Sequence, residues 1–296
     1  MKMRIIRNTS VLRAVVSALV ATVAVAQSGV AFAGPTLAAT DTATFGGESG
    51  VDDEKVKAAE LAKATQNPVA NLISVPLQNN FDWGGGSNND GFQYKLTVQP
   101  VVPVSLNEDW NVISRTILPY VYQKDVIGKS SQSGLADTSQ SFFFSPAKPT
   151  RRWIWGAGPA LQIPTATDDR LGEEKWGAGP TVVALRQQGP WTYGLLFSHI
   201  WSFAGEAGRA EVSRTFLEPF VSFTTKTFTS FGANTESSYD WKDSQWTVPI
   251  NVFAQQLLKV GRQPISVQVG GRYYAEGPSG APEWGLRFQL TLLFPI

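Results

Sequence analysis

From Asn71 onward, apolar and polar positions alternate along the chain with a period of two, the pattern of strands that turn one face toward an apolar phase and the other away from it. In 284–296 the even positions Trp284, Leu286, Phe288, Leu290, Leu292 and Phe294 are all apolar, whereas the odd ones are Gly285, Arg287, Gln289, Thr291 and Leu293. In 191–203, Trp191, Tyr193, Leu195, Phe197, Trp201 and Phe203 alternate with Thr192, Gly194, Ser198 and Ser202. The contrast recurs in 265–275, with Ile265, Val267, Val269 and Tyr273 against Ser266, Gln268, Gly270, Arg272 and Tyr274. In 92–104, Phe92, Tyr94, Leu96 and Val98 face away from Gln93, Lys95, Thr97 and Gln99.

Twelve such stretches are predicted: 71–83, 92–104, 110–123, 138–146, 152–164, 175–187, 191–203, 212–225, 228–238, 246–258, 264–275 and 284–296. An even number suits an antiparallel transmembrane β-barrel made from one bacterial chain. The connections alternate as well. Segments 84–91, 124–137, 165–174, 204–211, 239–245 and 276–283 are mostly longer, polar and Gly-rich, while 105–109, 147–151, 188–190, 226–227 and 259–263 are short. Long loops read as extracellular and short turns as periplasmic, with both termini on the periplasmic side. This register puts Trp110, Trp153, Trp155 and Trp191 at one end of the strands and Trp83, Trp176, Trp201, Trp246 and Trp284 at the other, forming two aromatic girdles. A soluble β-sandwich has no reason to sort its tryptophans in this way.

The segment before the strands changes the compartment. Lys2, Arg4, Arg7 and Arg13 precede and punctuate the apolar stretch 11–25, and Ala31-Phe32-Ala33 forms an A-x-A site before Gly34. Residues 1–33 therefore read as a cleaved export signal, 34–66 as a small-residue segment with a short helix, and 67–296 as the barrel. The helix is predicted over 52–66, from acidic residues in its first turn to the stop at Asn67-Pro68, with a weak apolar face of Val56, Ala59 and Leu61. It reads either as a periplasmic helix or linker, or as a plug in the barrel mouth.

Composition narrows the chemistry. Loss of the leader's four cations turns a formal net charge of +1 into −3, which does not suit a nucleic-acid binder. With no cysteine and one histidine, thiol catalysis, disulfides and Cys- or His-rich metal sites are excluded, and no cofactor is implied. After the leader no apolar run reaches the 18 residues of a spanning helix, so a membrane protein here must be a barrel.

Trp155-Gly-Ala-Gly-Pro159 recurs as Trp176-Gly-Ala-Gly-Pro180, but neither copy has the third glycine or the βαβ setting of a dinucleotide fingerprint. Gly156, Gly158, Gly177 and Gly179 instead fit strands that curve or admit close neighbours. Ser198 and His199 point to opposite faces of one strand and cannot form a nucleophile–base pair. Lys95, Arg214, Glu218, Arg272 and Arg287 fall on the polar rows and are the lumen-lining candidates, because a Lys or Arg at the middle of a lipid face costs about 2–4 kcal/mol. Arg272 and Arg287 read as a cationic patch opposing Glu218, serving either as a selectivity element or as a salt-bridge network filling the bore. In 110–123 neither row is cleanly polar, so Arg115 has no assigned face.

Asn67-Pro-Val-Ala-Asn-Leu-Ile-Ser-Val-Pro-Leu-Gln-Asn-Asn80, the strand Arg115-Thr-Ile-Leu-Pro119 and the paired Gly-Pro hairpin through Ile163-Pro-Thr-Ala-Thr167 resemble a family of bacterial outer-membrane, transporter-like proteins associated with the meta pathway of phenol degradation. The resemblance implies an outer-membrane channel or transporter for small solutes, including aromatic or hydrophobic compounds, and it carries no catalytic residue over to this chain. Its partners would be outer-membrane lipids, the barrel-assembly machinery and the solutes themselves. A structural barrel with a closed lumen, and an outer-membrane enzyme acting on lipid, are the alternative readings.

Overall fold

The computed structural model describes residues 49–148 and 152–295; the expected leader, its expected cleavage site and residues 34–48 lie outside the described residues. A helix, α1 (Ser49–Ala64), precedes strands β1 (Leu72–Gly85), β2 (Gly91–Val98), β3 (Val101–Ser105), β4 (Trp110–Lys124), β5 (Ser131–Leu135), β6 (Thr138–Pro146) and β7 (Trp153–Ile163). They are followed by β8 (Lys175–Gln188), β9 (Trp191–Gly205), β10 (Ser213–Thr224), β11 (Thr229–Thr235), β12 (Ser237–Asp240), β13 (Gln245–Val260), β14 (Gln263–Glu276) and β15 (Trp284–Pro295). β2 with β3, β5 with β6 and β11 with β12 are interrupted single strands, so the wall is a closed antiparallel barrel of twelve staves. The last stave closes on the first from Leu72 opposite Pro295 to Trp83 opposite Trp284.

Prolines explain the interruptions, since each removes an N–H from the ladder. Pro100 separates β2 from β3, yet the register runs straight through, with Val98 opposite Leu118 and Val101 opposite Arg115. Pro219 and Pro249 flank the gap between β11 and β12, which again keeps one register. Beside Pro119 the register slips: Tyr120 faces Leu135, but Ile117 faces Ser139, so residues 136–138 form a β-bulge.

Eleven staves start and stop close to the boundaries the alternation predicts, and the fourth differs. Residues 131–135 are strand rather than loop, paired with β4 from Tyr120 to Lys124. These residues, Ser-Gln-Ser-Gly-Leu, continue the wall with Ser131, Ser133 and Leu135 outward, so a single apolar side chain is too little to give a detectable period. The helix also begins earlier, at Ser49, and ends at Ala64.

Large apolar side chains cover the outside, including Trp191, Leu195, Phe231, Val252, Tyr273, Trp284 and Phe288, all well exposed. A contiguous apolar exterior of this kind is what a wall facing lipid requires. Trp83 stacks on Trp284 at 4.7 Å across the closing seam, and Trp110 meets Trp155 edge-on at 6.0 Å at the opposite end.

The interior is two-sided. On the β4–β9 side, Ile113, Phe143, Val183, Leu185 and Leu196 form a buried apolar cluster joined by Val69. On the closing side, Gln78, Asn80, Asp82, Thr97, Asn251, Gln255, Ser266, Gln268, Arg272, Arg287 and Thr291 are buried polar groups. The two Trp-Gly-Ala-Gly-Pro copies lie antiparallel on β7 and β8, with Pro159 opposite Pro180. A Cβ at Gly158 or Gly179 would fall on the carbonyl oxygen of Phe142 or His199 of the adjoining stave, so glycine permits this close approach.

The register generates a direct test. Leu290 points outward and Gln289 borders the interior cavity, so Leu290→Arg is expected to destabilise the barrel by about 2–4 kcal/mol while Gln289→Arg is tolerated. Heat-modifiable gel migration reads both, and equal effects would overturn the face assignment.

Candidate functional site

A cavity of about 580 Å³ occupies the bore. At the short-turn end it is bordered by residues 64–68 and Ala70, and at the loop end by Asp137, Arg170 and Leu171.

The short-turn end is occupied by the chain's own N-terminal segment. Ala58, Leu61, Ala62 and Ala64 of α1 pack with Ala70, Leu72, Phe228, Leu257 and Leu293. The Gln187 amide donates to the Lys63 carbonyl at 2.9 Å, and the Gln255 amide donates to Thr65 Oγ1 at 2.8 Å. Asn67 Oδ1 accepts from the Val69 N–H at 3.0 Å, a turn that stops the helix and directs Val69 into the apolar cluster. The packed face of α1 is therefore Ala58, Leu61 and Ala62 rather than Val56, Ala59 and Leu61, and Val56 is exposed. A helix fitted into a narrow mouth packs best through small side chains.

At the other end, loop 164–174 folds onto the inner face of β5. The Asp137 carboxylate, on the bulge, accepts from the N–H groups of Ala166 at 3.2 Å and Glu173 at 2.7 Å. Thr165 Oγ1 accepts from the Thr138 N–H at 2.9 Å, and Thr167 Oγ1 from that of Leu135 at 3.0 Å. A Cβ on Gly134 would meet Thr167 and Leu171, so this glycine gives the loop its seat. At the loop tip, hydrogen bonds from the Arg170 guanidinium and then its backbone N–H hold the Asp168 carboxyl down at about 2.

Between the two closures lies a belt of charge on the polar half of the wall. Arg287 donates to both oxygens of Glu236, at 2.7 and 2.8 Å, and through Nε to Asn80 Oδ1 at 2.7 Å. Arg272 lies 3.4 Å from Asp82 and 3.6 Å from Glu236. The register that sets Leu217 opposite Ser237 sets Glu218 opposite Glu236. Two like charges directly across a ladder repel, and the neighbouring arginines offset that repulsion. Glu218 itself accepts from the Asn234 amide at 2.8 Å. Asn80 Nδ2, Asp82 Oδ1, Asn234 Oδ1, Asn251 Nδ2 and Oδ1, and Arg272 Nε are buried without a protein partner. Buried polar atoms that no protein group meets call for water or a solute beside them.

Among the residues singled out from sequence, Lys95, Glu218 and Arg287 border the cavity, and Arg272 is buried beside it. Arg214 shares the inward row of Glu218 nearer the loop end, held by Glu173 at 2.9 Å and Asp240 at 3.0 Å. The structure gives Arg115 a face: it borders the cavity and donates to Gln99 Oε1 at 3.2 Å. Arg287 feels the charge of Glu218, but the direct ion-pair partners of Arg272 and Arg287 are Asp82 and Glu236, neither of which was singled out from sequence. Asp82 continues the polar row Ser74, Pro76, Gln78 and Asn80, opposite Val75, Leu77, Phe81 and Trp83, so its signal was present. Glu236 lies in a stretch of small residues where the period is faint.

His199 occupies the outer row. Its Nδ1 meets Thr215 Oγ1 at 2.7 Å and Trp201 covers its ring at 4.1 Å. Ser213 Oγ lies 3.5 Å from Nε2, longer than a proton-transfer pair needs, and the neighbour oriented on Nδ1 is a hydroxyl rather than a carboxylate.

No protein-family model and no curated protein matches the chain. Its fold is similar to that of a crystallised outer-membrane channel from Pseudomonas putida F1, with 14% identity, a TM-score of 0.60, and coverage of 76% of this chain and 96% of that one. The outer-membrane phospholipase A of Escherichia coli matches at 11% identity and a TM-score of 0.44, covering 79% of this chain and 96% of that one. The β domain of the Bordetella autotransporter BrkA matches at 12% and 0.42, covering 75% and 99%. The first match shows a shared fold; the other two are too distant to bear on this chain.

The charged belt is a mutual arrangement, which a double-mutant cycle tests. Arg287→Gln leaves Glu236 without its bidentate partner and is expected to cost about 3–5 kcal/mol, seen as a lower melting temperature. Adding Glu236→Gln to the same chain removes the stranded charge and is expected to recover most of that loss. A single variant as stable as the native barrel would contradict the pairing.

Proposed function

We propose that the protein is an outer-membrane channel for small solutes, with its lumen capped at the short-turn end by α1. The observation that carries this reading is the eccentric cavity: Val101, Phe216 and Phe220 border it in front of the buried apolar cluster, while Gln78, Asn80, Lys95, Gln268 and Arg287 border it on the closing side, where buried polar atoms are left without protein partners. A filled structural barrel would gain nothing from polar groups left without partners, because each costs free energy unless something mobile meets it. A polar stripe beside an apolar wall also suits solutes with an apolar body, in keeping with the resemblance to transporter-like proteins associated with phenol degradation. The apolar exterior and the fold shared with the Pseudomonas channel support an outer-membrane setting.

Transport here needs no chemistry. Arg287 and Arg272, committed to Glu236 and Asp82, set the shape of the bore at its charged belt. Lys95, Arg115 and Glu218 face the cavity without an ion-pair partner within 4 Å among the described residues, and so supply the field a permeating solute meets.

Single-channel recording in planar bilayers tests the proposal. The barrel is expected to show small conductance steps, and removal of residues 49–66 is expected to raise the unit conductance several-fold by opening the short-turn end. A silent barrel both with and without those residues would move the assignment to a closed structural barrel.

A further inference from the structure

Lys95 and Asn80 face one another on β2 and β1, and the register places Arg287 beside Asn80 on β15, so the three form one row across adjacent staves. All three border the cavity. Arg287 is committed elsewhere: its two terminal nitrogens grip Glu236 and its Nε donates to Asn80 Oδ1. Since an arginine nitrogen can only donate, this bond fixes the Asn80 amide with its oxygen toward Arg287 and its nitrogen turned away. Asn80 is fully buried and its Nδ2 has no acceptor. The Lys95 ammonium makes no hydrogen bond or ion pair of its own among the described residues. A donor cation and a donor amide thus stand side by side on a buried wall, and neither has an acceptor.

We propose that Lys95 and Asn80 form an anion subsite in the lumen, and that its ligand is a small monocarboxylate with an apolar body. The carboxylate accepts from Lys95 Nζ with one oxygen and from Asn80 Nδ2 with the other. Val121 stands opposite Lys95 on β4, and Ile117, Pro119, Phe216 and Phe220 border the same cavity, so the apolar body has a wall to lie against. Charge selects the valence. Lys95, Arg115, Arg272 and Arg287 face Asp82, Glu218 and Glu236, four formal positive charges against three negative, so one added negative charge neutralises the belt and two overshoot. A cavity of about 580 Å³ admits a single-ring or short-chain acid. This subsite deepens the channel reading by naming a class of solute.

Calorimetric titration of the folded full-length barrel with benzoate, benzyl alcohol and phthalate tests it. The two monofunctional probes share an aromatic body, and only benzoate carries a charge. Benzoate is expected to bind at least ten-fold more tightly than benzyl alcohol, and phthalate more weakly than benzoate. Lys95→Gln is expected to erase the preference for benzoate, and Lys95→Arg to keep it. Equal binding of benzoate and benzyl alcohol by the native barrel would overturn the subsite, as would a preference that survives in Lys95→Gln. Tighter binding of phthalate would overturn the monoanion assignment. Conductance recorded on the same preparation separates the two proposals. A benzoate preference in a barrel that never conducts keeps the subsite and defeats the channel, whereas a conducting barrel without the preference does the reverse.

Discussion

Everything in this molecule follows from closing a strand wall on itself in an apolar medium. Lipid offers no partner to a backbone N–H or carbonyl, so the last stave must find the first, as β15 does along the length of β1. Once the wall is closed, the period of two sorts the side chains: most outward ones are apolar to suit lipid, and charged ones turn inward. The charged belt is the consequence. Asp82, Lys95, Arg115, Glu218, Glu236, Arg272 and Arg287 come from seven different staves and meet because the bore is the one place the wall can put them.

Concentrating charge in a bore this narrow forces a division of labour. Arg287 bridges Asn80 on the neighbouring stave and Glu236 on a stave beyond β13 and β14, so it ties the closing seam to the far side of the polar wall. Arg272 adds a second, longer contact to the same carboxylate. These groups hold the bore's shape and are poorly placed to follow a moving solute. Lys95, Arg115 and Glu218 are not tied in this way, and the permeation properties proposed here rest on them.

Much of this architecture was legible in the chain, and the gaps have physical causes. Twelve staves, the alternation of long and short connections and the sorting of tryptophans followed from the outward row, which lipid makes largely apolar. Residues 131–135 escaped because two of their three outward side chains, Ser131 and Ser133, are small and polar, which leaves Leu135 alone to mark the row. Arg115 had no readable face because its stave mixes Ile113, Ile117 and Val121 into the inward row, where they border or join the apolar half of the lumen. That half-apolar interior also hid the partners of Arg272 and Arg287: pairing across the bore depends on the barrel's cross-section, which no single strand records. The face of α1 was misread for a related reason, since an isolated amphipathic pattern does not show that the receiving mouth favours alanine over valine.

The central claim is that water and solutes follow the polar half of the bore while the apolar half stays dry. Because the chain contains no cysteine, single cysteines can be placed without background. Labelling intact proteoliposomes with a membrane-impermeant maleimide compares Gln78→Cys and Gln268→Cys on the polar wall with Val183→Cys and Leu196→Cys on the apolar one. The account predicts modification of the first two and protection of the second pair. Protection of all four would show a sealed lumen, and equal modification would show that the two-sided interior does not exist in the membrane.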